Sequence, residues 1–184
     1  MRHGPAGNSG AGTFRVSAEY VERYPQADVS ATELTINVMY TAELLGRHLD
    51  QTLRPFGLTR GSFNVLQILG GAIEALTPSD VTTRLTVTTA TVTGLLDTLE
   101  TRQLARRRPH PNDRRSVLVE ITDEGRQLLD DLTPHLIERE KEWAAGLPPA
   151  RREQLLRLLG TLQDHLRQPD EPDPRTSRPA RSGR

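Results

Sequence analysis

Six arginines crowd the stretch Arg102 to Arg115 (Arg102, Arg106, Arg107, Arg108, Arg114, Arg115) with Asp113 as their single carboxylate, although the whole chain has a formal net charge of zero. A guanidinium carries a planar fork of donors that matches phosphate oxygens, and a charge that suits a narrow minor groove. Capture of a polyanion is the chemistry such a run offers. An arginine run is ordinarily a solvated face, so its neighbours decide. Just upstream stand Thr88, Thr89, Ala90, Thr91 and Thr93, which supply hydroxyls and methyls but no Arg, Asn or Gln able to hold a purine edge through two bonds.

The elements that must position these groups can be read from spacing. Pro109-His110-Pro111-Asn112-Asp113 can continue neither a helix nor a central strand and is a turn. Beyond it Val117, Val119 and Ile121 alternate with Leu118 and Glu120, the mark of a strand with one buried face. The arginines therefore sit on a hairpin. Upstream, Thr77-Pro78-Ser79-Asp80 gives an N-cap, a proline at the first helical position and a carboxylate in the first turn. The β-branched residues Thr82, Thr83 and Thr86 to Thr89 end that helix early, and Thr88 caps a second one running to about Gln103. Val92, Leu95, Leu96 and Leu99 form its buried stripe, with Ala90, Gly94, Asp97 and Thr101 on the far side. Two short helices joined by a tight turn form a helix-turn-helix candidate whose second element would enter the major groove.

Three segments resemble the MarR family of winged helix-turn-helix transcription factors: T-P-S-D-V-x-x-R-L-x-V-T-x-A-T-V-T-G-L-L-D-x-L-E from Thr77 to Glu100, P-N-D-R-R-S from Pro111 to Ser116, and L-V-E-I-T-D-E-G from Leu118 to Gly125. The resemblance implies a mainly α fold: a winged helix-turn-helix over 58–121, with dimerisation helices over 28–57 and 122–167. Residues 1–27 are then a partly disordered N-terminal extension and 168–184 a disordered tail, acidic first and then basic. It further implies a homodimeric, sequence-specific DNA-binding regulator, a repressor released by a small effector, and that one of Arg114 and Arg115 reaches the minor groove. The family's D-x-R spacing favours Arg115, though the sequence alone does not decide. Asp113 either holds a wing arginine or simply makes the turn. Arg106, Arg107 and Arg108 alternate across a strand, so at most two face one side; phosphate contacts are assigned to Arg107 and Arg108. On the first long helix, Tyr40, Arg47 and His48 are candidates for lining an effector pocket. The chain departs from the family's pattern at Thr86 and Gln103, which stand where glycine is usual, and at Gly94, where a basic residue is common.

Composition narrows the alternatives. No run of 18 or more apolar residues could span a membrane, and Met1 to Pro5 leads into no signal-peptide core, so a cytoplasmic protein is expected. The absence of cysteine removes thiolate zinc sites and thiol redox sensing. His3, His48, His110, His135 and His165 show no metal-ligand spacing, so neither metal nor cofactor is expected. No nucleophile motif, phosphate-cradling glycine loop or clustered carboxylate pair suggests an enzyme. The competing reading is a winged-helix scaffold that binds proteins and never touches DNA.

Along the rest of the chain, Phe14 to Tyr24 could form a short docking helix that Pro25 ends. Ser30-Ala31-Thr32-Glu33 has the form of a capping box before a helix whose apolar stripe runs from Leu34 to Leu53. A further helix begins near Leu58 to Gly61 and closes at Gly70-Gly71. Thr122 caps another, in which Pro134 should cause a kink near Asp130 to Thr133. Pro148-Pro149 opens the last, with Leu155, Leu159, Leu162 and Leu166 in a stripe that needs a partner.

Overall fold

The computed structural model describes residues 6–7, 12–85, 87–113 and 115–168. It divides the chain into two compact units, Met1–Leu136 and Ile137–Arg184. At the start, β1 (Ala6–Gly7) pairs antiparallel with β2 (Arg15–Val16), followed by α1 (Ala18–Arg23) and the long α2 (Val29–Leu53). The N-cap of α2 is Asp28, not Ser30: the Asp28 carboxylate accepts the Ala31 N–H at 3.1 Å and the Ser30 hydroxyl at 2.7 Å. The anticipated box partner, Glu33, is used elsewhere. Its carboxylate accepts the Val16 N–H at 2.9 Å and the Arg15 guanidinium at 2.6 Å. One turn on, the Asn37 side chain accepts the Phe14 N–H at 2.8 Å and donates to the Phe14 carbonyl at 3.0 Å. The docking expected of a helix over Phe14 to Tyr24 thus comes from an extended segment whose backbone groups find partners on α2, and only Ala18–Arg23 is helical. The disorder expected of the extreme N-terminus and of the tail after Gln168 falls on residues outside the described ones.

A 3-10 turn at Arg54–Phe56 ends α2 at Gly57, whose φ of 65° is the left-handed conformation glycine adopts without steric cost. Then come α3 (Arg60–Gly70), α4 (Pro78–Arg84) and α5 (Thr89–Thr101). Each begins with a threonine, Thr59, Thr77 or Thr88, whose hydroxyl accepts an otherwise unpaired first-turn N–H. The hairpin of β3 (Ala105–Pro109) and β4 (Val117–Ile121) is registered from Ala105 opposite Ile121 to Pro109 opposite Val117. Leu76 adds a bridge to its inner end, exchanging two hydrogen bonds of 3.0 and 2.7 Å with Val119. Leu53, Phe63, Val65, Leu66, Val81, Val92, Leu96, Leu99, Val119 and Leu132 make one core under these elements. Burial of each such side chain contributes about 2 kcal/mol before chain entropy is set against it.

On β4 the expected alternation fails at the outer end. Leu118 is buried and Val117 is 40% exposed, because Val117 pairs with Pro109 at the tip side of the ribbon, beyond the body. Between α5 and β3, Gln103 holds φ 60°, so a residue with a Cβ takes the left-handed position that glycine usually fills, at a cost of about 1 kcal/mol. Its carbonyl accepts the Thr122 hydroxyl at 2.6 Å, and Thr122 in turn accepts the Gly125 N–H at 3.1 Å. That network ties the end of α5 to the start of α6 (Asp123–Ala144). The kink expected from Pro134 does not interrupt α6, which is helical throughout. In the second unit α7 (Pro149–Leu166) leaves Leu155, Leu156, Leu158 and Leu166 exposed. Thr86 lies outside the described residues.

Candidate nucleic-acid interface

Burial of Val92, Leu96 and Leu99 against the core turns the opposite side of α5 outward. Ala90 and Gly94 form the ridge of that side, and Thr89, Thr91 and Thr93 are exposed beside it. Thr88 lies at the foot, its hydroxyl accepting the Thr91 N–H at 3.2 Å and sharing a hydrogen bond of 2.9 Å with the Thr91 hydroxyl. A Cβ built on Gly94 would meet nothing within 4 Å. The five α5 candidates are therefore brought together on one open surface.

The arginines divide into three groups. Arg106 and Arg108 lie on one face of β3 and share Glu120, at 2.6 and 3.2 Å. That carboxyl is held below its usual range, chiefly by the hydrogen bond from Arg106. Arg107 faces the other way. Its guanidinium reaches Asp97 at 2.7 Å and Glu100 at 2.6 Å on α5, and its backbone N–H donates to Glu100 at 3.1 Å. Burial disfavours its charge, but the hydrogen bonds it donates to the two carboxylates outweigh that and raise its pKa. The pair assigned to phosphates, Arg107 and Arg108, thus lies on opposite faces of the strand. Adjacent strand residues must do so, and Arg107 is occupied in holding the hairpin to α5.

At the tip, Asp113 accepts the Arg115 backbone N–H at 2.9 Å while its carbonyl takes the Ser116 N–H at 3.1 Å. This is turn chemistry. It leaves the Arg115 side chain exposed, with no carboxylate paired to it among the described residues. Arg114 lies outside the described residues. Arg102, counted in the sequence as part of the positive run, donates to the carbonyls of Gly57 at 2.6 Å and Phe56 at 3.0 Å. It staples the end of α5 to the corner after α2. Arg102 and Arg107 are positioning residues; sequence reasoning assigned Arg107 to phosphate and gave Arg102 no role beyond its charge. The carboxylates at Asp97 and Glu100, one helical turn apart on the side toward the hairpin, were the available signal for Arg107.

Tyr40, Arg47 and His48 are exposed along α2. The Tyr40 ring meets Phe14 edge-on at 4.9 Å, and Arg47 lies 3.6 Å from Glu43. An open cavity of about 420 Å³ at the corner after α2 is lined by Asp50, Gln51, Arg54, Gly57, Leu58 and Thr59, and includes none of the three.

The family model for the MarR family matches residues 58–117, the span of α3, α4, α5 and the hairpin up to the start of β4. The transcriptional regulator PecS of Dickeya dadantii is 31% identical over 144 residues, covering 77% of this chain and 87% of PecS. The chain belongs to the MarR family. A second relative of this MarR-family regulator is the transcriptional repressor YetL of Bacillus subtilis, 28% identical over 83% of this chain and 92% of YetL. Both are helix-turn-helix transcriptional regulators by name. The fold is shared with MepR of S. aureus, solved in complex with DNA, at a TM-score of 0.64 and 24% identity over 81% of this chain and 98% of MepR. Among the described residues no helix is long and apolar enough to cross a membrane.

Proposed function

We propose that this MarR-family regulator acts as a cytoplasmic homodimer that grips duplex DNA, with α5 in the major groove and the hairpin tip at the neighbouring minor groove. It is not an enzyme. The observation that carries this reading is the contrast at the hairpin: Arg106, Arg107 and Arg108 are paired internally, while Arg115 is exposed at the tip with no carboxylate partner among the described residues. MepR, which shares the fold, was captured on DNA. Dimerisation through 28–57 and 122–167 is supported by apolar side chains left uncovered on α2, namely Leu34, Met39 and Leu45, and on α7, namely Leu155, Leu156 and Leu158. Two copies of α5 must stand roughly 34 to 36 Å apart to enter successive major grooves. A small effector that binds better to a dimer with another spacing would release the operator. Thr88, Thr89, Ala90, Thr91 and Thr93 then face base edges, Arg108 and Arg115 meet the backbone and minor groove, and Arg107 with Asp113 shapes the hairpin.

The test is a salt-dependent binding titration on promoter DNA with the parent protein and dimeric Arg115→Ala and Arg114→Ala variants. Arg115→Ala should lose about ten-fold in affinity, and the slope of log K against log salt should flatten by roughly 0.9, one phosphate's worth. If both variants bind as tightly as the parent, the hairpin assignment is wrong. Failure of the parent to bind any duplex at low salt would favour the protein-binding scaffold instead.

A further inference from the structure

The hydroxyl hydrogens of α5 are largely committed within the helix. Thr93 donates to the Thr89 carbonyl at 3.0 Å, Thr98 to that of Gly94 at 2.9 Å and Thr101 to that of Asp97 at 2.8 Å. Thr88 and Thr91 share one hydrogen between their hydroxyl oxygens, 2.9 Å apart. Only Thr89 and one member of that pair retain a hydroxyl hydrogen without a partner among the described residues. What the outward side presents is therefore mostly methyl groups and oxygen lone pairs. At the ridge, Ala90 adds a methyl and Gly94 adds bare backbone, with open space where a side chain would be. The one carboxylate on this side, Asp97, is paired with Arg107 at 2.7 Å, which also holds Glu100 at 2.6 Å.

Major-groove edges differ in what they demand. Guanine shows two acceptors, N7 and O6, and needs donors; thymine shows a 5-methyl group beside O4; adenine and cytosine each show an amino donor. A surface of methyls and acceptors matches thymine and the amino-bearing bases and has little to give guanine. The small residues at Ala90 and Gly94 also let the helix axis approach the base edges closely, which methyl contacts require.

We propose that α5 reads the methyl and amino edges of A·T pairs in preference to the acceptors of guanine, so that its half-site is selected by thymine methyls. This rests on the DNA-binding reading above and adds the chemistry of what is read. The experiment uses the full-length dimer and a duplex recovered by selection from genomic fragments, with the bases under α5 located by footprinting. In one arm thymines under α5 are replaced by deoxyuridine, which removes only the methyl; in the other, guanines there are replaced by 7-deazaguanine, which removes the N7 acceptor. Each contacted methyl removed should weaken binding roughly four-fold, the worth of one buried methyl-sized group, while 7-deazaguanine should leave affinity within two-fold. Unchanged affinity with deoxyuridine, a ten-fold loss with 7-deazaguanine, or a footprint under α5 without thymine would each overturn the proposal. In all three the parent still binds DNA, so the broader reading would survive; a parent that binds no duplex would sink that reading instead.

Discussion

Two neighbouring parts of this molecule meet the proposed duplex by opposite means. Helix α5 is anchored deep and chemically quiet: Val92, Leu96 and Leu99 are at most 1% exposed, and its outer side carries threonines, alanine and glycine. The β3–β4 hairpin is charged and exposed toward its tip, where Val117 is 40% exposed, and it carries five of the six clustered arginines. The difference separates two jobs that a single surface could confuse. Phosphate attraction is strong, long-ranged and blind to sequence, so in the proposed complex, placing it on the hairpin would leave the helix to discriminate by shape and methyl contact. What joins the two is Arg107, reaching from β3 to Asp97 and Glu100.

The largest way to break the comparison is through the core. Leu96→Ala, at a side chain 1% exposed, should cost about 3 kcal/mol by lost burial and a residual cavity. Val117→Ala, 40% exposed on the hairpin, should cost less than about 0.5 kcal/mol. Urea unfolding of the two variants measures both. Equal losses would mean the hairpin is as deeply anchored as the helix. The Arg115→Ala titration described above is the complement: it should alter affinity and salt slope while leaving unfolding unchanged, because among the described residues that guanidinium has no ion-pair partner to lose.

Much of this contrast was legible in the chain itself, for reasons that are local. Thr77-Pro78-Ser79-Asp80 and Thr88 specify helix starts within a few residues, and the buried stripe of α5 follows from its 3.6-residue period. The turn at Pro109 to Asp113 follows from proline and Asx chemistry alone. What sequence spacing did not reveal depends on partners distant in the chain. Glu33 looked like a cap for its own helix but is taken by Val16 and Arg15, a choice visible only once β2 lies along α2. Arg102 and Arg107 looked like more of the same charge, yet carbonyls 45 and 46 residues away hold one and carboxylates on α5 hold the other. Leu118 broke its period because where the hairpin leaves the body is a property of the assembled fold.

A finer way to sharpen the comparison is to cut the joint between the two parts. Arg107 is 26% exposed and paired with two partly exposed carboxylates, so Arg107→Ala should cost only about 1 kcal/mol of stability. Its effect on DNA should be larger than that figure suggests. The hairpin would lose its fixed angle to α5, and Asp97 would be left uncompensated near phosphates. We expect a several-fold loss of affinity with the salt slope nearly unchanged, since no phosphate contact is removed. Arg107→Lys should restore charge without the two-carboxylate fork and recover only part of the affinity. A salt slope flattened as much as in Arg115→Ala would show that Arg107 touches phosphate directly.

Acid provides the smallest and most local probe. Asp80, at the start of α4, is held below its usual range first by the Thr77 hydroxyl and then by the Thr77 backbone N–H; Glu120, on the hairpin, is held low chiefly by Arg106. A carboxyl whose folded pKa is depressed adds stability at pH above its unfolded value, about 4, and that stability fades as pH falls through the lower folded value. Both groups therefore favour the folded state at neutral pH, and their contribution fades progressively as pH falls below about 4. Asp80→Asn should flatten the acid limb of the stability curve through loss of the capping-box carboxylate on α4, and Glu120→Gln through release of Arg106 and Arg108. Salt distinguishes them: the Glu120 contribution is an exposed ion-pair effect and should shrink at high ionic strength, whereas the Asp80 contribution is a short-range hydrogen bond and should persist. If added salt erases both alike, the capping box contributes as charge and not as geometry, and the helix-turn-helix would depend on electrostatics as the hairpin does.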